Sequence, residues 1–188
     1  KFAIFSDIHG NLEALEAVLA DIALERVQEM ICLGDIVGYG PNPAECIEMV
    51  RCLSAAVVMG NHDEACIEPG REFDLNEYAR AGIAFARREL SDAQKAWLRN
   101  RPMRLDFGDF TAVHASLSDG DEWEYIFTPS DARRHFLFQD QPLCFCGHTH
   151  RPAVWSQEGR KVRGFTPNGN VICQLGPRTL VNVGSVGQ

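Results

Sequence analysis

Five short apolar segments, each ending in side chains that can bind a metal ion, constrain the fold of this chain more than any other feature. Phe2–Phe5 leads into Asp7 and His9, Met30–Leu33 into Asp35, Ala56–Met59 into Asn61, His62 and Asp63, Phe110–Val113 into His114, and Leu143–Cys146 into His148 and His150. Apolar runs of this length are typical of buried strands in a sheet that is covered on both faces. Because ligands of such sheets bind beyond the carboxyl ends of the strands, we expect these side chains to converge on one site.

The stretches between these segments have the spacing of amphipathic helices. Asn11 is a suitable N-cap for a helix whose apolar residues recur at helical intervals, at Leu12, Leu15, Val18, Leu19 and Ile22. Further helices are predicted from Asn42-Pro43, after a loop near 64–74 (with Ala79, Ile83, Ala86 and Leu90 on one stripe), from a Ser91–Gln94 capping box to about Asn100, and around 129–138.

From residue 151 onward the pattern becomes β-rich. Short β-like runs alternate with Gly, Pro and Asn turns at Ala153–Ser156, Lys161–Phe165, Val171–Leu175 and Thr179–Val183. We therefore predict an α/β fold, a four-layer α/β/β/α sandwich of two mixed sheets flanked by helices, as a single domain over residues 1–188. The chain stops at the turn-like segment Asn182–Gln188, so we expect C-terminal strands to be missing.

The charge balance limits the classes of partner. The chain has 18 basic and 26 acidic residues and a net charge of −8, which argues against general nucleic-acid binding because phosphate contacts need cations. It has no apolar run of the roughly 18 residues that a membrane span needs, and Phe2–Phe5 is too short for a signal-peptide core. We expect no membrane partner, while homo-oligomerisation stays open.

The cysteines point to a reducing compartment. The chain has seven cysteines, an odd number, and none lies in a CxxC pair. Cys32, Cys144 and Cys146 lie inside apolar runs, where they are expected to be small buried side chains rather than parts of a disulfide framework. A cytoplasmic location fits this pattern best.

The histidines and carboxylates at the strand ends favour a pair of metal ions. Five of the six histidines follow the predicted strands, and His135 is expected on the surface of a helix. One ion is satisfied by three or four ligands, whereas there are seven candidates here: Asp7, His9, Asp35, Asn61, His114, His148 and His150. Seven ligands with one shared carboxylate suit two divalent ions, and mixed imidazole and oxygen donors suit Mn, Fe, Zn, Co or Ni better than Mg or Ca. Two such ions would outweigh Asp7 and Asp35, so the site would attract phosphate.

These motifs, in this order, resemble those of the calcineurin-like metallophosphoesterase superfamily, in particular its small prokaryotic phosphodiesterase-like members. The resemblance implies that Asp7, His9 and His150 hold one metal ion, that Asn61, His114 and His148 hold the other, and that Asp35 bridges them. It also implies that His62 protonates the leaving oxygen while Asp63 orients its ring. The other interpretation of Asp63 is a cap on the segment that follows.

The function that the resemblance implies is hydrolysis of small phosphomono- or phosphodiesters by a metal-bridging hydroxide. The acidic loop Asp119–Tyr125 would either border the pocket and repel long polyanions or be a solvated loop. Gly38–Asn42 lacks the lysine of a P-loop and fits a tight turn better than an anion site. Two other classes stay open: a non-catalytic binding scaffold of the same fold, and a nuclease. The sequence leaves the substrate and the metal unidentified.

Overall fold

The computed structural model describes residues 1–72, 75–118 and 123–188. In this part of the chain the helices are α1 (Leu12–Leu24), α2 (Pro43–Cys52), α3 (Asn61–Ile67), α4 (Glu77–Glu89), α5 (Asp92–Arg99) and α6 (Pro129–Phe136). The strands are β1 (Phe2–Phe5), β2 (Glu29–Cys32), β3 (Ala56–Val57), β4 (Arg104–Asp106), β5 (Phe110–Val113), β6 (Leu143–Cys146), β7 (Ala153–Glu158), β8 (Lys161–Phe165) and β9 (Thr179–Asn182).

The strands form two sheets. The first has the order β1-β2-β3 and is parallel, with Ile4 opposite Ile31 and Ile31 opposite Ala56. The second has the order β4-β5-β6-β9-β7-β8 and is mixed, since β5, β6 and β9 run parallel while β4, β7 and β8 pair antiparallel. The expectation of two sheets flanked by helices is confirmed, although only the second of them is mixed.

Three apolar clusters correspond to the three interfaces of a four-layer sandwich. Ile31, Leu33 and Val58 of the first sheet region pack with Phe110 and Ala112 of the second, between the two sheets. A larger cluster joins the other face of the first sheet to the helices α1 to α5. A third joins the second sheet to α6.

Alternation along the strands explains how single residues reach different layers. In β2, Ile31 belongs to the cluster between the sheets and Cys32 to the cluster under the helices. In β6, Cys144 and Cys146 face α6 while Phe145 faces the other sheet. All three cysteines are buried free thiols, as their apolar surroundings predict.

The predicted helix starts are confirmed where a side chain caps the helix. Asn11 Oδ1 accepts a hydrogen bond from the Ala14 amide at 3.1 Å. Ser91 and Gln94 cap α5 reciprocally, with distances of 3.0 Å and 3.3 Å between the amides and the side-chain oxygens.

Within the described residues, no helix combines the length and the apolar character needed to cross a membrane.

Two local predictions are wrong, and one strand was not predicted. The region near 64–74 is not all loop, because α3 begins at Asn61 directly after the capping residue Gly60; residues 73–74 lie outside the described part. Val171–Leu175 forms no strand, since no neighbouring strand pairs with it and Ile172 is fully exposed. The edge strand β4 was not predicted, because its sequence Arg-Leu-Asp carries no apolar run.

His135 is a further correction. We expected it on the surface of a helix, but it is fully buried in α6, against the second sheet. Its ring Nδ1 accepts a hydrogen bond from the Leu117 amide at 3.2 Å, which satisfies a loop amide that would otherwise be unpaired.

Candidate metal centre

The side chains at the strand ends come together in two groups that share one carboxylate. Ligand atoms of Asp7, His9, Asp35 and His150 all lie within 4.8 Å of one another, and so do those of Asp35, His114 and His148. Asn61 joins the second group, since its Oδ1 lies 3.0 Å from His114 Nε2. The structure thus brings all seven candidate ligands into one place at the carboxyl ends of β1, β2, β3, β5 and β6.

The first group contains a buried carboxylate oxygen without a hydrogen bond. His150 Nε2 lies 3.1 Å from Asp7 Oδ1 and 2.9 Å from His9 Nε2. Despite this short distance, Asp7 Oδ1 is buried and has no hydrogen-bond partner of acceptable geometry. A buried acceptor without a donor is unfavourable, and a cation among these three atoms would relieve it. The residues of this group therefore fit a metal ion.

In the second group the same carboxylate meets different donors. Asp35 Oδ2 lies 3.3 Å from His114 Nε2 and 3.7 Å from His9 Nε2, so one oxygen faces both groups. The other oxygen, Oδ1, accepts a hydrogen bond from the His62 amide at 2.8 Å. That bond fixes the orientation of the carboxylate between the two groups.

Backbone carbonyls set which nitrogen each imidazole presents. His9 Nδ1 donates to Val37 O at 3.1 Å, and His114 Nδ1 donates to Leu33 O at 2.6 Å. Both rings therefore turn Nε2 toward the site. His148 Nε2 donates to Trp123 O at 3.0 Å, which leaves its Nδ1 for the site. Such outer contacts are typical of imidazoles that bind metals.

Five of the seven candidate ligands have left-handed backbone conformations. Their φ angles are 57° for Asp7, 51° for His9, 53° for Asp35, 67° for His148 and 57° for His150. This region is unfavourable for L-residues other than glycine, so the surrounding structure must stabilise it. Hydrogen bonds from the Asp7 amide to Gly34 O (3.1 Å) and from the His9 amide to Asp35 O (2.9 Å) do so here.

The C-terminal segment 182–187 donates hydrogen bonds to the loops that carry Asp7, His148 and His150. Ser185 Oγ donates to Asp7 O at 3.0 Å, and the Gly187 amide donates to the same carbonyl at 2.9 Å. Asn182 Nδ2 donates to Thr149 Oγ1 at 3.0 Å and also to Gly147 O. Gly147 links β6 to the ligand His148, and Thr149 lies between the ligands His148 and His150. The sequence predicts no role for these residues, and its only signal for one is their turn-like composition.

The buried charges of the site depend on one another. Burial raises the pKa of Asp7 and of Asp35, but neighbouring histidines outweigh it and hold both pKa values below the usual range. For His114, burial lowers the pKa, but Asp35, Asp7 and the hydrogen bond to Leu33 O together raise it, to about 9. A proton on His114 offsets part of the negative charge of these carboxylates. Metal binding would displace that proton, because an imidazole ligand must be neutral.

His62 lies beside the two groups but belongs to neither. Its ring centroid is 4.7 Å from that of His9 and 4.9 Å from that of Tyr39. Its Nδ1 is buried without a hydrogen-bond partner, and burial lowers its pKa to about 4. A Cβ atom on Gly38 would lie 2.4 Å from this Nδ1, so the tight turn at Gly38 leaves just enough room for the ring.

The prediction that Asp63 orients the His62 ring is wrong. Asp63 Oδ1 accepts hydrogen bonds from the amides of Ile36 (3.0 Å) and Val37 (3.2 Å), and Oδ2 accepts one from Gly60 (3.3 Å). Both oxygens are thus used by the backbone, and the carboxylate caps α3 and holds the loop after Asp35. This agrees with the other interpretation of the residue, as a cap.

A cavity of about 210 Å³ opens over the site. Its rim includes Tyr39, Asn76 and Tyr125, none of which the sequence singled out as ligands. Asn76 Nδ2 donates to the Tyr39 hydroxyl at 3.1 Å, and the Tyr125 ring stacks on His148 at 4.0 Å. Of the acidic loop Asp119–Tyr125, residues 119–122 lie outside the described part, and the rest contacts the site through Trp123 and Tyr125.

Comparisons with known proteins agree with this geometry. The calcineurin-like phosphoesterase family model matches residues 1–152. The chain is 36% identical over 190 residues to an uncharacterized protein of Methanocaldococcus jannaschii, covering 99% of this chain and 76% of that protein. It is 28% identical over 193 residues to a symmetrical bis(5'-nucleosyl)-tetraphosphatase of Histophilus somni, covering 92% of this chain and 66% of that protein.

A solved structure shows the same fold over the whole chain. A metallophosphoesterase from Sphaerobacter thermophilus has a TM-score of 0.87 and 41% identity, covering 100% of this chain and 77% of that one. Together with the strand-end ligand cluster, these matches place the chain in the calcineurin-like phosphoesterase family, that is, among the metal-dependent hydrolases of phosphoric esters.

Proposed function

We propose that the protein is a dinuclear phosphoesterase that hydrolyses small phosphomono- or phosphodiesters. The observation that carries this proposal is the pair of ligand groups joined by Asp35, with seven nitrogen and oxygen donors in all. When bound, two divalent cations would activate the attacking water and hold the phosphoryl oxygens. The donor set suits Mn, Fe, Zn, Co or Ni.

In this proposal the residues of the chain divide the work by position. Asp35 spans the two groups, so it would hold both ions at a fixed spacing. His62 lies against the His9 ring and lines the cavity, where its ring can give a proton to the leaving oxygen. Because the pKa of His62 is lowered, its ring is neutral at pH 7. An anionic phosphoryl group bound beside the ring would raise the pKa of His62 and so favour its protonated form.

The size and charge of the molecule support a small substrate. The cavity of about 210 Å³ is smaller than the roughly 300–1,000 Å³ of most ligand pockets, which favours a small substrate. The net charge of −8 opposes a long polyanion outside the cationic site. The Histophilus somni relative is named for nucleoside polyphosphates, so these are included in the proposed range together with simple esters.

The test is a metal titration of activity with a variant of the shared ligand. The chelated protein is assayed on a chromogenic phosphodiester before and after Mn²⁺ is added, and bound metal is counted by elemental analysis. Restoration of activity by Mn²⁺ supports the proposal. Asp35→Asn should lower kcat by at least about a hundredfold and should lower the metal occupancy of both sites together. The matched control is Asp109→Asn, which removes the charge of an exposed aspartate.

Two outcomes would contradict the proposal. If Asp35→Asn lost one ion and kept the other at full occupancy, Asp35 would not be a bridge. If the protein bound two ions but no phosphoester in a broad panel turned over with any of the five metals, the non-catalytic scaffold would be the better description.

A further inference from the structure

A second and larger cavity lies next to the candidate metal centre. It is a groove of about 590 Å³ between the Ile126-Phe127 segment, the residues after His150, and the hairpin of β7 and β8. We call it the aromatic groove, and its principal side chains are Phe127, Arg151, Trp155 and Phe165. Neither the ligand motifs nor the metal groups include any of them.

Stacked rings connect this groove to the metal centre. Tyr125 stacks on His148 at 4.0 Å and on Phe127 at 5.5 Å, with interplanar angles of 22° and 7°. On the other side, Thr149 and Arg151 flank the ligand His150 and line the groove. A molecule whose phosphoryl group lies at the metal centre can therefore reach the groove with its organic part.

The groove exposes flat apolar surface that is not buried in the core. Phe127 is 51% exposed and Phe165 is 49% exposed, although large aromatic side chains are usually buried. Trp155 is buried in its wall, and its indole Nε1–H has no hydrogen-bond partner. Gly164 makes room for this ring, since a Cβ there would lie 2.3 Å from Trp155 Cε3.

The charge of the groove favours an organic phosphate over a cation. Arg151 is the only charged residue among the described residues that line it, in a chain with a net charge of −8. Its guanidinium lies 5.8 Å over the Phe127 ring, where the aromatic face helps to keep it in place.

From these observations we propose that the aromatic groove binds the planar aromatic group of a phosphoester, packed against the exposed parts of the Phe127 and Phe165 rings, while Arg151 contacts its negative charge. The inference rests on the proposed function for the position of the phosphoryl group. It adds a preference for aryl or heteroaromatic esters over aliphatic esters of equal reactivity.

The test compares two phosphomonoesters that share the same scissile bond. AMP and ribose 5-phosphate are both esters of a primary ribose hydroxyl, and only AMP carries a heteroaromatic ring. With Mn²⁺ present, kcat/KM should be about tenfold or more higher for AMP, the size expected for one stacked base. Phe127→Ala and Phe165→Ala should each reduce that ratio severalfold. Phe138→Ala, which removes an aromatic side chain that is 51% exposed and absent from the groove lining, should leave the ratio unchanged.

A binding measurement separates this inference from the proposed function. Adenosine and ribose are titrated into the chelated protein by isothermal calorimetry or NMR, so that no turnover is needed. Binding of adenosine but not of ribose, weakened by Phe127→Ala, supports the groove even if neither phosphate is hydrolysed. Hydrolysis of both esters at equal kcat/KM without adenosine binding would overturn the groove and leave the phosphoesterase intact. A preference for AMP that survives both Phe variants would overturn it as well.

Discussion

At the scale of single residues, the candidate ligands combine two unfavourable features in the same place. Five of them have left-handed backbone, at roughly 1–2 kcal/mol each for a residue with a Cβ atom. Asp7 in addition keeps an unpaired buried oxygen. Neither feature improves packing, and both hold donor atoms in fixed positions. Strain of this kind is found where a site must be formed before its ligand arrives.

His62 allows a test of the proposed mechanism at this scale. In His62→Ala we expect kcat to fall about 10²–10⁴-fold on alkyl phosphoesters, whose leaving oxygen needs a proton. The loss should be much smaller on p-nitrophenyl esters, whose leaving group departs as an anion. Rates on both ester types, with metal content by elemental analysis, give the measurement. Equal losses on the two types, or loss of bound metal, would remove His62 from proton transfer.

At the scale of elements, most of the layout could be predicted because it depends on local patterns. The apolar runs of β1, β2, β5 and β6 and the capping residues of α1 and α5 are local signals, and the structure agrees with them. The convergence of the strand ends follows from parallel topology. The grouping of the seven candidate ligands could therefore be predicted without tertiary contacts.

The elements that could not be predicted depend on contacts that are distant in sequence. β4 is a strand because β5 pairs with it, while the more apolar Val171–Leu175 has no partner strand. The role of Asp63 was decided by amides of Ile36 and Val37, which only the folded chain brings near it. The aromatic groove has no sequence signal, because its rings come from the segment before α6 and from β7 and β8.

The buried His135 in α6 leads to a prediction of how the free energy of unfolding depends on pH. Burial lowers the pKa of His135 to about 4, whereas in the unfolded chain it is about 6.5. The unfolded state therefore binds a proton first as pH falls below 6.5, and stability decreases down to about pH 4. This one residue should account for about 2 kcal/mol of the difference in unfolding free energy between pH 7 and pH 5.

The experiment uses a side chain that does not titrate. His135→Gln keeps a side-chain oxygen that can accept the hydrogen bond of the Leu117 amide, so the helix can retain its contact. Urea unfolding of both proteins at pH 7 and pH 5 should show a smaller difference for the variant. The same pH dependence in both would mean that His135 does not charge on unfolding in this range.

At the scale of the whole molecule, the metal centre joins the two sheets. Asp7, His9, Asp35 and Asn61 follow strands of the first sheet, and His114, His148 and His150 follow strands of the second. Bound cations would therefore link the layers at one end of the sandwich. We expect Mn²⁺ at a hundred times its Kd to raise the free energy of unfolding by about 2.7 kcal/mol for each ion bound, measured by urea denaturation. Asp35→Asn should abolish the increase, whereas Asp109→Asn should retain it.

The stabilisation should also be shared between the sheets, because the ions are proposed to contact both. In hydrogen exchange, amides of β1 and β2 in the first sheet and of β5 and β6 in the second should all become more protected when Mn²⁺ is added. If the ions were held by the first sheet alone, only β1 and β2 would gain protection. That result would place His114, His148 and His150 outside the metal coordination, however close they lie to the other candidate ligands.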